Sequence, residues 1–448
     1  MLIREEPLLS VGILTDKKIN FELYGNFAAA GYKRPFSGVF TAEVKEDVIT
    51  CKSTASNLEV KKEIIFTPQT PSLESFLIKD VTIGVDFHWQ RKERQRFSHS
   101  LKLLRDGDNI IIINILPLED YLISVISSEM SAKGSIQSLK AQTVVARSWV
   151  LAQLEKDRSK KNNDQKSANK ISDDEIIRWY GREKHKYFDV CADDHCQRFQ
   201  GITKVTTRNA REAVEQTRGL VILSDNKICD ARYSKSCGGR TENFENTWEP
   251  VKHSLLKSII DYKYIPDNFD LDLAIEENAR KWITGNPPAF CNTSDKTILS
   301  QILIDYDQET VDFFRWKVEY KQAELSSMIK EKSGIDFGDI LDLIPVERGA
   351  SARLIRLKIV GSQKTLNIGK ELEIRRVLSK SHLYSSAFVV DKILDKIEAP
   401  VKFIIHGAGW GHGVGLCQIG GAVMAAQGYQ FDEILLHYFS GAKIKKIY

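Results

Sequence analysis

Residues 116 to 154 carry two successive helical patterns of apolar positions. The first repeats at i, i+3, i+4, i+7 and i+8, the spacing of one buried helical face, and comprises Leu118, Tyr121, Leu122, Val125 and Ile126. Pro117 suits the start of this helix, where its missing N–H costs nothing. After a break at Gly134, Ser135 is a favourable N-cap for a second helix. The face of that helix comprises Ile136, Leu139, Thr143 and Val150.

Each predicted helix also places one charged residue on its apolar face. Glu129 comes eleven positions after Leu118, and Arg147 comes eleven positions after Ile136, about three helical turns in each case. Burying a charge is costly unless the charge is paired or used. Two interpretations are open: a buried Glu129–Arg147 ion pair that fastens the helices, or a carboxyl group with a raised pKa that gives and takes a proton.

The first quarter of the chain is rich in stretches typical of β-strands. Seven stretches combine Val, Ile, Phe and Thr with turn residues between them: 8–15, 19–27, 37–44, 47–53, 58–67, 76–89 and 109–116. We therefore expect a β-rich N-terminal subdomain over residues 1–115, whose last strand leads directly into the first helix. The remaining residues, 116–448, alternate helical and extended patterns, so the predicted fold class is α+β with the two parts packed together.

Later segments give more local predictions. Residues 155–184 are highly charged with few large apolar side chains, which predicts a solvated, mobile insertion. Helices are expected near 208–217 and 271–283, and a hairpin from 351–360 and 365–368. A final amphipathic helix begins near Phe431.

Bulk properties exclude some classes of protein. The chain has 448 residues and a net charge of +4, and its opposite charges are interleaved, which argues against a dedicated nucleic-acid binder. No run approaches the roughly 18 apolar residues that a membrane span needs. The first residues, MLIREEP, lack the apolar core and cleavage site of a signal peptide. The chain therefore either stays inside the cell, or its leader is missing from this sequence, or its start site is misassigned.

Cysteine and histidine cluster in the middle of the chain. His185, Cys191 and Cys196 are candidate zinc ligands, with His195 as a fourth if its ring turns inward. The alternatives are a Cys191–Cys196 disulfide or two buried free thiols. The seven cysteines are an odd number and are scattered, so they do not form a dense disulfide framework and leave the cellular compartment undecided.

A glycine-rich motif lies near the C-terminus, with glycine at 407, 409, 411, 413 and 415. In an extended chain alternate residues share one side, so Trp410, His412 and Val414 would face the same way. Glycine on the other side permits another backbone, or a flat ligand ring, to approach closely. The spacing matches neither a Walker loop nor a dinucleotide fingerprint, so phosphate binding is unsupported.

Several of these motifs together resemble the SpoIID/LytB family, which includes sporulation lytic transglycosylases and amidase enhancers. The resemblance rests on LPLEDYLISVISSEM followed by SLKAQTVVARSW, on YSKSCGGRTE (233–242) followed by Trp248, on Phe314-Arg315-Trp316, on Glu347-Arg348-Gly349 and on GAGWGHGVGLCQIG (407–420). These strings arrive in family order across roughly residues 110 to 448. The resemblance therefore implies that residues 116–448 form a SpoIID/LytB-like domain.

The resemblance implies action on the glycan strands of bacterial peptidoglycan as a lytic transglycosylase. Glu129 would be the general acid/base and Arg147 would orient it or bind substrate. The reaction needs one carboxylate, because a hydroxyl of the substrate is the nucleophile. A hydrolase would need a second carboxyl group, for which the candidates are Glu119, Asp120 and Glu242.

The resemblance also implies binding residues. The cleft would be lined by Tyr233, Ser236, Gly238, Gly239, Glu242, Trp410 and His412. The family resemblance extends to the segment DVCADDHCQ, which favours zinc at His185, Cys191 and Cys196 over coincidence. Cys237 departs from the common family form, in which a small polar residue is frequent. It is open to interpretation as a metal ligand, as one half of a disulfide with Cys229 or Cys291, or, with less support, as a nucleophile.

A competing interpretation is a non-catalytic protein that binds peptidoglycan and enhances a cell-wall amidase. The implied partners are peptidoglycan glycan strands and, in this second case, an amidase. The implied location is the cell envelope, outside the cytoplasm, although the sequence shows no signal peptide. A third interpretation is an intracellular protein that uses the fold for another purpose.

Overall fold

The computed structural model describes residues 5–84, 90–131, 133–159, 169–180, 185–205, 207–303 and 312–448. The chain divides into two compact units. Unit 1 comprises Met1–Leu139, Arg182–Leu220 and Lys446–Tyr448, and unit 2 comprises Lys140–Gly181 and Val221–Lys445. This division differs from the boundary at 115/116 in the sequence analysis, because unit 1 continues through the first helix and takes in a later segment of the chain.

In the described residues, ten strands precede the first helix, and the later strands are interspersed with helices. In chain order the strands are β1 Leu8–Asp16, β2 Lys18–Ala29, β3 Phe36–Lys45, β4 Val48–Lys52, β5 Asn57–Val60, β6 Glu63–Pro68, β7 Ser75–Ile83, β8 Arg91–Ser98, β9 Ser100–Asp106, β10 Asn109–Pro117, β11 Lys170–Ile171, β12 Glu175–Ile177, β13 Val190–Cys191, β14 Leu220–Ser224, β15 Lys227–Ile228, β16 Tyr233–Ser234, β17 Arg315–Lys321, β18 Ile340–Arg348, β19 Leu354–Gly361, β20 Thr365–Gly369, β21 Phe388–Leu394, β22 Pro400–Ala408, β23 Leu416–Cys417 and β24 Lys443–Lys446.

The helices are α1 Leu118–Glu129, α2 Ile136–Ser159, α3 Arg208–Gln216, α4 Phe244–Thr247, α5 Glu276–Thr284, α6 Lys296–Ile302, α7 Gln322–Ser333, α8 Glu371–Val377, α9 Gln418–Ala426 and α10 Phe431–Tyr438, with a 3₁₀ turn at Gly201–Lys204. Strands and helices both contribute substantially, so the α+β fold class is confirmed. Among the described helices, none is both long and apolar enough to cross a membrane.

Unit 1 is built on an eleven-stranded sheet. Its main strand order is β13-β1-β10-β9-β6-β2-β3-β4-β5, and β7 pairs with β2 and β8. All seven predicted stretches contain strands, but residues 58–67 split between β5 and β6. Strands β8 and β9 were not predicted. The end of the predicted stretch 76–89 lies outside the described residues.

Helix α1 follows β10 without a loop, as expected from the sequence. Its N-cap is Pro117, and the Ser135 hydroxyl accepts the Ser138 backbone N–H at 3.3 Å, which confirms the predicted cap of α2. The predicted apolar face of α1 is buried, and burial extends beyond it to nearly every side of the helix. Only Asp120 and Glu129 in α1 are partly exposed.

Unit 2 contains several smaller sheets. One has the order β11-β12-β20-β19-β18 and another the order β17-β22-β21, while β16 and β23 form a parallel pair. The antiparallel hairpin of β19 and β20 confirms the prediction for that segment. The predicted helix at 271–283 begins only at Glu276, after a turn that holds Leu273 in the core.

The described residues of the predicted mobile insertion at 155–184 contain regular secondary structure. Helix α2 continues to Ser159, and β12 pairs in parallel with β20. Glu175 in β12 is buried and forms ion pairs with Lys170 and with Arg356, the latter at 2.5 Å. Charged residues here therefore anchor a sheet edge. Residues 160–168 and 181–184 of the predicted insertion lie outside the described residues.

Candidate functional site

Glu129 is the last residue of α1, and its carboxylate emerges partly exposed from an otherwise buried helix. Its Oε1 accepts the backbone N–H of Arg198 at 2.9 Å. The Arg198 guanidinium in turn forms an ion pair with Asp194, in which Nη2 donates to Oδ2 at 3.2 Å. One oxygen of Glu129 is therefore fixed by a backbone donor, a rigid group that limits how the carboxylate can rotate.

The segment that carries this donor lies along α1 through several contacts within unit 1. The Tyr121 ring stacks on Phe199 with centroids 5.3 Å apart, and its hydroxyl donates to Gln197 at 3.1 Å. The Gln200 backbone N–H donates to the Ser128 hydroxyl at 3.2 Å. The chain from 197 to 200 is thus seated on the helix, and this seating positions the Arg198 donor.

The predicted zinc ligands lie just before that segment, and all four donors come together. The ligand atoms of His185, Cys191, His195 and Cys196 lie within 4.8 Å of one another. His185 Nε2 is 3.3 Å from the Cys196 sulfur, and His195 Nδ1 is 3.6 Å from the same sulfur. Two thiols and two imidazoles are a set that suits tetrahedral zinc. The Nδ1 atom of His195, which the sequence analysis left conditional, lies within this cluster although the residue is exposed.

Both cysteines of this cluster are partly buried. A hydrogen bond with Cys196 and burial raise the pKa of Cys191 to about 11. All seven cysteines belong to the described part of the chain, and all are free thiols there. The sulfur atoms would bind a metal as thiolates, so metal binding would have to displace their protons.

Arg147 lies in the part of α2 that belongs to unit 2, and it is fully buried. Glu129 belongs to unit 1. Because the two residues belong to different units, the buried ion pair and the proton-transferring carboxyl group both stay predictions.

The two motifs of unit 2 that the sequence analysis singled out lie side by side. Tyr233 pairs with Leu416 in the parallel β16–β23 ladder. Ser236 and Trp410 exchange two backbone hydrogen bonds, of 3.1 and 2.8 Å. The Glu242 N–H then donates to the Gly413 carbonyl at 2.9 Å. The segment 233–242 and the C-terminal glycine motif therefore form one continuous backbone arrangement.

Glycine is required where these two motifs meet. A Cβ on Gly238 would lie 2.9 Å from the Gly409 nitrogen, and one on Gly409 would lie 2.8 Å from the Ser236 carbonyl oxygen. Both glycines also have positive φ, +79° and +74°. The sequence analysis left open whether glycine admits another backbone or a flat ligand ring. At Gly238 and Gly409, close approach by another backbone accounts for the glycine. A Cβ on Gly239 would lie 2.9 Å from the Trp282 ring.

Glu242 is buried, and its carboxylate is fully engaged. Its Oε1 accepts from Asn243 N–H, Asn246 Nδ2 and Ala350 N–H, and its Oε2 accepts from the N–H and the hydroxyl of Ser351. The Ser351 hydroxyl also accepts from the buried Arg353 guanidinium at 3.0 Å. A contact between Glu242 and a sugar would require these bonds to break, so its predicted role in binding has no support in this geometry.

The aromatic residues of the C-terminal motif already have partners. The Trp410 ring stacks on Phe313 at 4.7 Å and leans on Tyr384 at 4.4 Å, yet it stays partly exposed. The His412 Nδ1 accepts the Val414 N–H at 3.0 Å. Burial, and then repulsion by Arg232 and Arg353, hold the pKa of His412 well below its ordinary value. His412 is therefore a neutral ring that helps to fix the loop.

Sequence reasoning missed Arg353, which connects both motifs. Its guanidinium donates to the Gly411 carbonyl at 3.0 Å and to the Cys237 carbonyl at 3.1 Å. The only signal was an arginine in the segment SARLIRLKIV, directly before the strand that begins at Leu354. Ser236, by contrast, was predicted as a cleft residue but is fully buried.

The fold and geometry define an α+β protein with a partly exposed carboxylate held at a helix end beside a cluster of thiols and imidazoles. Residues 106–223 match the family model described as stage II sporulation protein. Residues 242–415 match a domain of unknown function, DUF8618.

Curated relatives agree with the first match. The chain is 23% identical to the stage II sporulation protein D of Bacillus amyloliquefaciens, over 74% of this chain and 75% of that protein. It is 24% identical to the amidase enhancer of Bacillus subtilis, over 71% of this chain but only 39% of the enhancer. An uncharacterised protein of Brachyspira hyodysenteriae is 25% identical over 77% of this chain and 71% of its own length. These matches support the assignment of the chain to the SpoIID/LytB family, which confirms the prediction from its motifs.

Proposed function

We propose that the protein acts on the bacterial cell wall as a lytic transglycosylase, with Glu129 as its general acid/base. A role related to the cell wall is supported by the family model and by relatives named stage II sporulation protein D and amidase enhancer. The finer proposal is carried by Glu129, a carboxylate that is partly exposed at the end of a buried helix and fixed by a backbone donor. Such a group can meet a substrate in one defined orientation.

In this mechanism Glu129 first protonates the glycosidic oxygen between two amino sugars. As a carboxylate it then accepts the proton of the muramoyl C6 hydroxyl, whose oxygen attacks C1 of the same sugar and closes an anhydro ring. The proton given in the first step is recovered in the second. Arg147 would orient Glu129 or bind substrate, and Tyr233, Ser236, Gly238, Gly239, Trp410 and His412 would line the cleft or support its walls.

The proposal needs only one carboxylate, and each of the three candidates for a second carboxylate already has hydrogen-bond partners within the protein. Glu119 is buried and accepts from the Tyr448 hydroxyl at 2.6 Å and from the Gly219 N–H at 3.3 Å. Asp120 pairs with His99 at 2.9 Å, and this hydrogen bond lowers the pKa of Asp120. Glu242 accepts five hydrogen bonds. These contacts favour lytic cleavage over hydrolysis, which normally uses two carboxyl groups.

The test is the product formed from peptidoglycan glycan strands stripped of their peptides, analysed by mass spectrometry. We expect anhydro-muramoyl ends with the full chain, a loss of at least about 100-fold with Glu129→Gln, and full activity with the exposed control Glu215→Gln. Reducing ends instead of anhydro ends would refute lytic cleavage and favour hydrolysis.

We further propose that His185, Cys191, His195 and Cys196 bind zinc. The ion would fix the segment just before Arg198, and so would hold the donor that orients Glu129. Zinc content, measured on the purified chain, should fall with Cys196→Ser and stay unchanged with Cys51→Ser, a buried unit 1 thiol outside the cluster. An unchanged zinc content in Cys196→Ser would refute this ligand set.

The second candidate is a non-catalytic enhancer of a cell-wall amidase, favoured by the relative of that name. It predicts that the chain binds intact peptidoglycan and raises the rate of an added amidase, and that Glu129→Gln does both as well as the original chain. Enhancement without any glycan cleavage would replace the first proposal with this one. In either case the expected location is the cell envelope.

A further inference from the structure

Three cysteines and one aspartate converge in the interior of unit 2, outside the groups that the proposed reaction uses. Cys237, Cys291 and Cys417 are 2%, 1% and 0% exposed, and Asp261 is 0% exposed. Their sulfur atoms and one carboxylate oxygen all lie within 4.8 Å of one another. We call these residues the Cys₃Asp cluster. Its members come from four separate segments, so the fold alone brings them together.

The spacing within the cluster fits a shared metal ion. The Cys237 sulfur lies 3.6 Å from the Cys291 sulfur and 3.2 Å from the Asp261 Oδ2. Two thiolates bound to tetrahedral zinc at about 2.3 Å stand roughly 3.8 Å apart, and a thiolate and a carboxylate oxygen stand slightly closer. A disulfide would need its sulfurs at about 2.05 Å.

The cluster is acidic, and burial opposes the ionisation of its members. Burial raises the pKa of Cys291 to about 12 and that of Asp261 to about 7. A divalent ion reverses this balance, since it binds the ionised forms and releases their protons. The pKa of Cys417 moves the other way: burial raises it, but hydrogen bonds with Cys237 and Cys291 outweigh burial and bring it to about 6.

The surroundings of the cluster also suit thiolates. The Cys417 sulfur accepts the backbone N–H of Cys237 at 3.3 Å and that of Gly420 at 3.4 Å. Asp261 Oδ1 accepts the Tyr438 hydroxyl at 2.5 Å, which orients the carboxylate and leaves Oδ2 towards the sulfurs. These donors stabilise negative charge on the atoms that would bind the ion.

A nearby cation would offset the charge of an occupied cluster. One zinc ion with three thiolates and one carboxylate carries a net charge of about −2. The Arg315 guanidinium donates to backbone carbonyls, among them those of Gly238 and Trp282, and is attracted to Cys291 and Cys237. Burial lowers the pKa of Arg315 to about 9, a cost that anionic sulfur would reduce.

We propose that the Cys₃Asp cluster is a closed zinc site with a structural role. Its four protein ligands leave no open position for substrate, which is the pattern of structural zinc. The ion would tie the Cys237-Gly238-Gly239 turn to Cys417, the N-cap residue of α9. It would thereby connect the 233–242 motif to the C-terminal glycine motif through their cysteine ligands. This proposal does not depend on the activity proposed for Glu129.

The experiment starts from a Cys191→Ser/Cys196→Ser double variant, which removes the thiols of the other cluster. We expect this background to retain about one zinc per chain, measured by elemental mass spectrometry. Adding Cys291→Ser should remove it, whereas adding Cys229→Ser, a buried thiol outside the cluster, should not. Adding Cys291→His keeps four ligands, so Co²⁺ should still bind but with weaker thiolate-to-cobalt absorption.

Two results would overturn the proposal. One is a folded background variant that contains no zinc and takes up no added Zn²⁺ or Co²⁺ under reducing conditions. The other is an intact mass lowered by two hydrogens in the protein as purified, with a Cys237–Cys291 or Cys237–Cys417 link in its peptides. If the Cys291→Ser chain does not fold, the metal content of the background and the cobalt spectrum of the Cys291→His variant decide the question.

Discussion

Replacing Glu242 by glutamine should destabilise unit 2, although the two side chains have the same shape. Five donors surround the carboxylate: three meet Oε1, at 2.8, 2.8 and 3.1 Å, and two from Ser351 meet Oε2, at 3.1 and 2.6 Å. Glutamine offers one acceptor oxygen. If that oxygen takes the place of Oε1, its amide N–H₂ group faces the Ser351 N–H, and two donors then oppose each other.

The size of the effect follows from these contacts. The Ser351 hydroxyl can rotate and accept from the new amide, but the Ser351 N–H is left buried without an acceptor, at a cost of about 1–3 kcal/mol. The substitution also removes the negative charge that faces the buried Arg353 guanidinium through the Ser351 hydroxyl. We therefore expect the free energy of unfolding to fall by about 2–4 kcal/mol in total.

Urea unfolding followed by tryptophan fluorescence measures this loss selectively, because six of the seven tryptophans belong to unit 2. The matched control is Glu245→Gln, three residues further on and partly exposed in α4, where we expect a change within about 0.5 kcal/mol. A Glu242→Gln chain as stable as the original would refute the structural role argued for this carboxylate. If that stable chain had also lost its affinity for glycan strands, Glu242 would be a ligand contact, as the family resemblance implied.

Two further predictions concern the C-terminal glycine motif. Gly409→Ala should lower the free energy of unfolding by at least about 2 kcal/mol more than the control Gly428→Ala. Both glycines have positive φ, but of these two only Gly409 has backbone atoms within 3 Å of the new Cβ. Equal losses of stability in urea unfolding would contradict this prediction. His412 has a depressed pKa in the folded state, so the unfolded chain binds this proton first, and the stability linked to His412 is present above about pH 6.5 and is lost as the pH falls. His412→Gln should reduce the dependence of unfolding free energy on pH between about 7 and 5, by up to about 1.4 kcal/mol per pH unit, and an unchanged slope would refute the assignment.

The sequence predicted the local elements of the site well, because local periodicity reports burial. Helix α1 was predicted from its apolar residues, and it was buried more fully than expected for an identifiable reason. Ser127 and Ser128 donate their hydroxyls to the carbonyls of Ile123 and Ser124, at 2.8 and 2.7 Å. A serine whose hydroxyl donates to a carbonyl of its own helix can be buried without losing a hydrogen bond. The pattern of apolar and polar residues in the sequence, by contrast, assigns serine to the solvent-facing side. Strand β8 was missed for the converse reason, since most of its charged residues point into water.

What the sequence could not supply were contacts between residues far apart in the chain. Glu242 and Ser351 are 109 positions apart, and Cys237 and Cys417 are 180 positions apart. No local period relates such pairs, and seven scattered cysteines allow many combinations. The His185–Cys196 cluster was predictable because its four members lie within twelve residues of the chain.

The geometry of unit 2 changes what mutations in its motifs can be expected to show. The residues there that look most like a binding signature also hold the backbone together: Glu242 through its donors, Gly238 and Gly409 through close approach, and His412 through the Val414 N–H. A loss of activity on substituting any of them therefore does not by itself identify a substrate contact, since an unfolded unit 2 would give the same result. Glu129 differs, because its carboxylate is partly exposed and accepts a backbone N–H that a glutamine oxygen can also accept. Glu129→Gln should accordingly keep the fold while removing the acid, which makes it the substitution for which lost glycan cleavage carries a chemical meaning.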